Sequence, residues 1–181
     1  MKFALFTSTE NFVDEHYLIE RIFECGADYL YVDKPNLTEL QLEHWLLALP
    51  PEIREKSFIC GNPNVASEFG LLGFHRDSAW FEKNQSAVPS SDIQASMETS
   101  SLDVSLIGYS QVVLVPANKF KGLAGVRSAF ENKKVAIFFA GDSDDFNLDA
   151  LQKAGFDGVA VRSGVWEYAD SISAWRRLCK K

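Results

Sequence analysis

Short apolar runs alternate with longer amphipathic stretches along almost the whole chain, and this alternation constrains the fold most. The run KFALF at 2–6 precedes a stretch at 14–26 whose apolar residues recur at helical spacing, and DYLYVDKP at 28–35 precedes a second such stretch at 37–49. Eight runs of this kind occur. Because most are too apolar to have one face in water, they predict a parallel sheet covered on both faces.

Eight strand and helix units predict a closed (β/α)8 TIM barrel, with an open doubly wound sheet as the alternative. The chain has 181 residues, against about 250 in a typical barrel of this class. We therefore expect one compact domain over 1–181 with shortened connections. The pattern predicts helices over 97–108 and 165–180. It predicts a loop over 77–91 and does not decide whether that loop forms a lid.

Composition and charge exclude several classes of partner. The chain carries 18 Lys and Arg against 25 Asp and Glu, a net charge of -7, with no long basic run. Nucleic acid is therefore not expected as a partner. The first apolar run is too short for a signal peptide or a membrane span, which predicts a cytoplasmic protein without a membrane partner. The sequence leaves open whether the chain forms a homo-oligomer.

Three cysteines are scattered through the chain, at Cys25, Cys60 and Cys179. Their odd number and wide spacing match neither a disulfide framework nor a paired-cysteine metal site. We interpret them as free thiols.

In parallel α/β folds, ligands bind at the carboxyl ends of the strands. Gly141 and the pair Ser163-Gly164 end the last two strand runs, where bare backbone N–H groups can surround a phosphate. The alternative is that these glycines only close turns. Asn62 follows the third strand run and is a candidate substrate-binding residue.

Two side chains at strand ends are candidates for chemistry. Lys34 closes the second strand, where an ammonium at the barrel mouth would bind a diphosphate; alternatively it is an exposed lysine paired with Asp33 or Glu39. His75 is a candidate general acid or base, because histidine titrates near neutrality, or else a hydrogen-bonded structural residue.

Several ordered fragments together resemble the thiamine-phosphate synthase superfamily, which includes the aminopyrimidine tautomerases. The resemblance covers residues 27–167. It is carried by ADYLYVDKP, ICGNPNVASEFGLLGFHRDS, DIQASMETSSLD, YSQVVLVPANKFKG, VAIFFAGDS and GFDGVAVRSGVWE.

This resemblance implies a (β/α)8 barrel that joins hydroxymethylpyrimidine diphosphate to thiazole phosphate, with Mg²⁺ as cofactor, and releases pyrophosphate. It implies that Lys34 meets the diphosphate, and that Ser96 is the serine of a GxSxHT-like fifth strand. The resemblance also implies that Lys121 corresponds to the lysine that follows the sixth-strand proline. The thiazole phosphate would rest on Gly141, Ser163 and Gly164.

The sequence departs from the resembled pattern where the metal and the diphosphate would bind. Asp33 stands where an arginine is usual, and Gly61 stands where an aspartate helps to hold Mg²⁺. The second metal aspartate has no counterpart unless Asp77 replaces it, so the metal ligands are unknown. A carboxylate beside a diphosphate costs on the order of 1–4 kcal/mol.

Two other hypotheses follow from these departures. The first is a catalytically impaired barrel, regulatory or associated with salvage, that binds a phosphorylated small molecule. The second is a tautomerase or isomerase that uses His75.

Overall fold

Eight parallel strands close into a barrel in chain order, and β8 pairs with β1. The computed structural model describes residues 1–84, 93–100, 109–115, 126, 135–142, 146–167 and 169–180. The closed barrel is confirmed over the open sheet. The strands are β1 (Lys2–Phe6), β2 (Tyr29–Val32), β3 (Ser57–Ile59), β4 (Gly73–Asp77), β5 (Gln94–Thr99), β6 (Gln111–Leu114), β7 (Ala136–Asp142) and β8 (Gly158–Ser163).

The described helices are short, which agrees with the expected shortening of the connections. Thr38 begins the second helix with a capping box, in which its side chain accepts from the Gln41 N–H while the Gln41 side chain accepts from the Thr38 N–H. The helices are α1 (Glu15–Glu24), α2 (Glu39–Leu47), α3 (Pro51–Arg54), α4 (Pro63–Glu68), α5 (Ser78–Lys83), α6 (Leu148–Ala154) and α7 (Ser171–Cys179).

Three predicted boundaries are wrong. The helix expected over 97–108 does not begin at its first residues, because 97–99 continue β5; residues 101–108 lie outside the described part. The loop expected over 77–91 contains α5, which begins after Asp77 accepts from the Trp80 N–H. The last helix begins at Ser171 rather than at 165, because Asp170 caps it there.

The core has two layers, which follow from the alternation of side chains along each strand. The outer layer packs strand residues against the helices. The inner layer fills the barrel with Phe6, Tyr31, Phe58 and Phe138, together with small residues such as Ala160. Among the described residues, no helix is both long enough and apolar enough to cross a membrane.

Candidate binding site at the barrel mouth

Three adjoining cavities open at the carboxyl ends of the strands. The outer cavity, about 620 Å³, lies between α2, α4 and the end of β3. The central cavity, about 240 Å³, lies over β4 and β5, and the β8 cavity, about 340 Å³, lies between the ends of β1 and β8. The central and β8 cavities share the residues Phe6, Asp33 and Arg162, and the outer and central cavities share Cys60.

A hydrogen-bonded array of polar side chains lies in the barrel interior beneath the central cavity. The Tyr31 hydroxyl donates to Gln111 Oε1 at 2.6 Å and lies 3.2 Å from Ser96 Oγ. Ser96 Oγ lies 3.0 Å from His75 Nδ1. These residues face one another because β4 and β5 are paired in register, with His75 opposite Ser96. The array provides hydrogen bonds to polar groups whose burial without a partner would be costly.

Glu98 connects this hydrogen-bonded array to the mouth of the barrel. Its Oε2 lies 3.3 Å from His75 Nε2 and accepts a hydrogen bond from Arg162 Nη2. Since a carboxylate only accepts, the neutral His75 ring donates from Nε2 and accepts from Ser96 at Nδ1. Burial, followed by the nearby Arg162 charge, lowers the pKa of His75 to about 3. The imidazole is therefore neutral at physiological pH.

Arg162 is a cation that lines both the central cavity and the β8 cavity. Its guanidinium lies over the Phe6 ring, 4.0 Å from the ring centroid. Its side chain is 35% exposed, and in the described part of the chain its buried Nε has no hydrogen-bond partner. Burial lowers the pKa of Arg162, which stays a cation at neutral pH. Such a group can bind an anion.

The carboxylates of the mouth do not assemble a metal site. Asp33, Asp77 and Glu98 all line the central cavity. Asp77 is already used to cap α5, and Glu98 is bound to Arg162. No group of three or more His, Cys, Asp or Glu side chains that could hold a metal occurs among the described residues. The described donor set therefore does not fit Mg²⁺, which requires oxygen ligands in near-octahedral geometry.

The structure resembles two solved thiamine phosphate pyrophosphorylases over nearly its whole length. A thiamine phosphate pyrophosphorylase from Bacteroides thetaiotaomicron matches with a TM-score of 0.80 and 22% identity, covering 99% of this chain and 96% of that one. The enzyme of the same name from Pyrococcus furiosus matches at 0.77 and 20%, covering 99% and 94%. The chain has the fold of the thiamine phosphate pyrophosphorylases.

A third likeness extends to another synthase. A (S)-3-O-geranylgeranylglyceryl phosphate synthase from Thermoplasma acidophilum, solved with its substrate sn-glycerol-1-phosphate, matches with a TM-score of 0.70 and 11% identity, covering 99% of this chain and 92% of that one. No protein-family model and no curated protein matches the sequence. These likenesses establish the fold, and they agree with the barrel that the sequence resemblance implied.

Lys34 lines the outer cavity, but its ammonium is not free at the mouth as expected. Its Nζ is buried, 2.6 Å from Glu15 Oε2 of α1, and donates to the Glu10 carbonyl at 3.0 Å. Trp45 of α2 donates its indole N–H to the same Glu15 oxygen at 3.3 Å and lies beneath the ammonium. The partners suggested from sequence, Asp33 and Glu39, are also wrong. The ion pair joins β2 to the helices outside the barrel.

The three residues of the expected phosphate cradle do not together line any of the three cavities described above. Ser163 is the last residue of β8, and Gly141 precedes the last residue of the adjacent strand β7, where the register between the two strands shifts at 141 and 142. Of the three expected residues, only Ser163 lines any of the three cavities. A Cβ on Gly141 would meet Phe146 at 3.2 Å, so that side of the glycine faces the outer core. Gly164 has a φ of 82° and turns the chain after β8.

The remaining predicted residues are divided among different places. Asn62 lines the outer cavity and caps α4 by accepting from the Asn64 N–H at 3.0 Å. Ser96 and His75 are brought together inside the barrel. Lys121 lies outside the described residues.

Ser96, His75 and Glu98 have the residue types of a nucleophilic triad but not its accessibility. Ser96 is fully buried in the barrel interior, and Glu98 is the member nearer to solvent. A nucleophile must reach a bound substrate. This order therefore does not support hydrolysis by Ser96.

Three residues of the observed site, Glu98, Arg162 and Tyr31, were not predicted as site residues from the sequence. The signal that could have found the first two is the alternation of strand side chains. Glu98 follows Ser96 by two positions and therefore shares its inner face, and Arg162 follows the interior residue Ala160 in the same way. Tyr31 lies before Lys34 in the second strand run, and the residues of that run are typical of an apolar core strand.

Proposed function

We propose that this chain binds a phosphorylated small molecule at the barrel mouth, with the phosphate against Arg162 and Ser163. The observation that carries the proposal is the β8 cavity, where a partly exposed guanidinium, paired with Glu98 through Nη2, lies beside the hydroxyl residues Ser8 and Ser163. A guanidinium binds phosphate with two parallel hydrogen bonds, and hydroxyls supply further donors. The organic part of the ligand would extend into the adjoining central cavity.

Three features favour binding over the synthase reaction. The described residues contain no cluster fit for Mg²⁺. The Lys34 ammonium, expected to meet the diphosphate, is held by Glu15. Asp33 adds a negative charge to the wall that the central and β8 cavities share. Each of these weakens the binding of a metal–diphosphate complex.

Proton transfer by His75 is also disfavoured. Both ring nitrogens have partners within the barrel, Ser96 and Glu98. A base whose pKa is about 3 has little driving force to remove a proton at neutral pH. The tautomerase or isomerase hypothesis would need His75 to leave this environment.

Calorimetry with thiazole phosphate tests the binding proposal. We expect saturable binding to the wild-type chain and an affinity roughly 10- to 100-fold lower in Arg162→Gln, because a charge-assisted hydrogen bond contributes about 1.5–3 kcal/mol. Arg176→Gln removes the same charge from the exposed surface of α7 and should leave the affinity unchanged. The proposal fails if the wild-type chain does not bind, or if both variants bind like wild type.

The synthase reaction remains a second candidate because of the fold shared with two thiamine phosphate pyrophosphorylases. Its test adds hydroxymethylpyrimidine diphosphate and Mg²⁺ to the same mixture and measures pyrophosphate. We expect no release above the protein-free background. Release that requires both the chain and Mg²⁺ would favour the synthase.

A further inference from the structure

The geometry points to a ligand that carries a cationic nitrogen as well as a phosphate, and we propose that Asp33 binds this nitrogen. The inference rests on the proposed function, since it assigns the organic part of the same ligand. The Asp33 side chain is acidic, and among the described residues of the mouth no side chain is bound to it.

Asp33 lies where the central cavity and the β8 cavity meet. It lines both the central and the β8 cavity, together with Phe6 and Arg162. Asp33 is half-buried. A ligand whose phosphate contacts Arg162 in the β8 cavity would therefore have its next atoms beside Asp33.

The backbone of Asp33 is fixed while its carboxylate is left unpaired. Its N–H donates to Thr7 Oγ1 at 2.9 Å, and the Thr7 hydroxyl donates back to its carbonyl at 3.2 Å. These bonds tie the end of β2 to the residue that follows β1. In the described residues, neither a hydrogen bond nor an ion pair is formed by the Asp33 side chain, whereas Glu98 in the same mouth is bound to Arg162 and His75.

The charges around the central cavity give the class of ligand. Its wall holds three carboxylates, Asp33, Asp77 and Glu98, against two guanidiniums, Arg76 and Arg162. Glu98 is paired with Arg162, and Asp77 accepts from a backbone N–H. A half-buried carboxylate beside a phosphate would be repelled unless the ligand brings a compensating positive charge. An amine or a protonated ring nitrogen on a phosphate ester supplies that charge.

Two phosphate esters that differ only in an ammonium group separate this inference from the proposed function. The probes are O-phosphoethanolamine and ethyl phosphate, titrated by NMR against wild type, Asp33→Asn and Arg162→Gln at pH 7.5. We expect phosphoethanolamine to bind the wild type more tightly than ethyl phosphate. Asp33→Asn should weaken phosphoethanolamine about tenfold or more and should not weaken ethyl phosphate, since it removes a like charge.

The control is Asp149→Asn, which removes one carboxylate from the exposed surface of α6, outside the three cavities. It should change neither affinity, and thermal unfolding should show that Asp33→Asn is folded. Equal weakening of both esters by Asp33→Asn, or no weakening of either, would overturn the inference while the phosphate proposal stands. Binding that depends on Asp33 but not on Arg162 would support the amine contact and contradict the phosphate proposal.

Discussion

Gly73 shows how closely single residues are packed inside this barrel. A Cβ at this position would lie 1.9 Å from the Gln94 carbonyl oxygen and 3.0 Å from the Phe58 ring. The carbonyl belongs to the paired strand β5 and has little freedom to move. Any side chain at Gly73 therefore has to separate two strands of a closed sheet.

We predict that Gly73→Ala lowers the free energy of unfolding by roughly 3 kcal/mol or more, because overpacking here strains backbone rather than a flexible side chain. Urea unfolding followed by circular dichroism measures this. Gly61→Ala is the matched control, since its added Cβ meets only an Ile59 side-chain atom at 3.4 Å. A loss equal to that of Gly61→Ala would contradict the packing argument.

At the same scale, the sequence identified some site residues and missed others for a physical reason. His75 and Ser96 were found because a polar residue in an apolar strand run is conspicuous, and the structure brings them together. Glu98 was overlooked because 97–108 was interpreted as a helix, although in the ASMET run it stands at the histidine position of the GxSxHT-like pattern. Which partner a buried polar group takes depends on strands distant in sequence, as for Arg162 and Glu98.

At the scale of elements, the buried ion pair between Lys34 and Glu15 connects the end of β2 to α1. Both side chains are 1% exposed, and Trp45 of α2 contributes its indole N–H to the same carboxylate. Such a pair adds little by itself relative to apolar residues, because desolvation offsets the attraction. Removing one partner is costly, because the other charge stays buried.

We therefore predict that Lys34→Met destabilises the chain by about 3–5 kcal/mol. The double variant Lys34→Met with Glu15→Gln should recover much of this loss, since it leaves no unpaired charge. Chemical unfolding of the two single variants and the double variant measures the coupling. Additive losses would show that the two side chains do not stabilise each other.

The sequence predicted the strands better than the helices, for reasons that differ between the two. All eight strands were visible because a strand covered on both faces must be apolar, wherever it lies in the barrel. The helices depend on caps and on local competition. Asp77 and Asp170 each begin a helix by accepting a backbone N–H. Periodicity alone placed the first of these starts in a loop and the second inside a helix expected from residue 165.

For the molecule as a whole, the barrel interior makes stability depend on pH through His75. The ring is buried and neutral in the folded chain, and burial lowers its pKa to about 3, whereas an unfolded histidine titrates near 6.5. Between these values the unfolded state binds a proton that the folded state does not. The stabilisation from a neutral His75 is therefore present above about pH 6.5 and is lost as the pH falls toward 3.

We predict that this one group contributes a slope of about 1.4 kcal/mol per pH unit to the free energy of unfolding below about pH 6. Urea unfolding at several values between pH 4 and pH 8 should show a shallower acid dependence for His75→Asn than for wild type, whatever its absolute stability. His44→Asn, on the exposed surface of α2, should retain the wild-type slope. Because the carboxylates are common to all three proteins, the difference between slopes isolates the histidine. Parallel curves for wild type and His75→Asn would mean that the imidazole is protonated or exposed in the folded chain, and the neutral hydrogen-bonded array beneath the mouth would then be wrong.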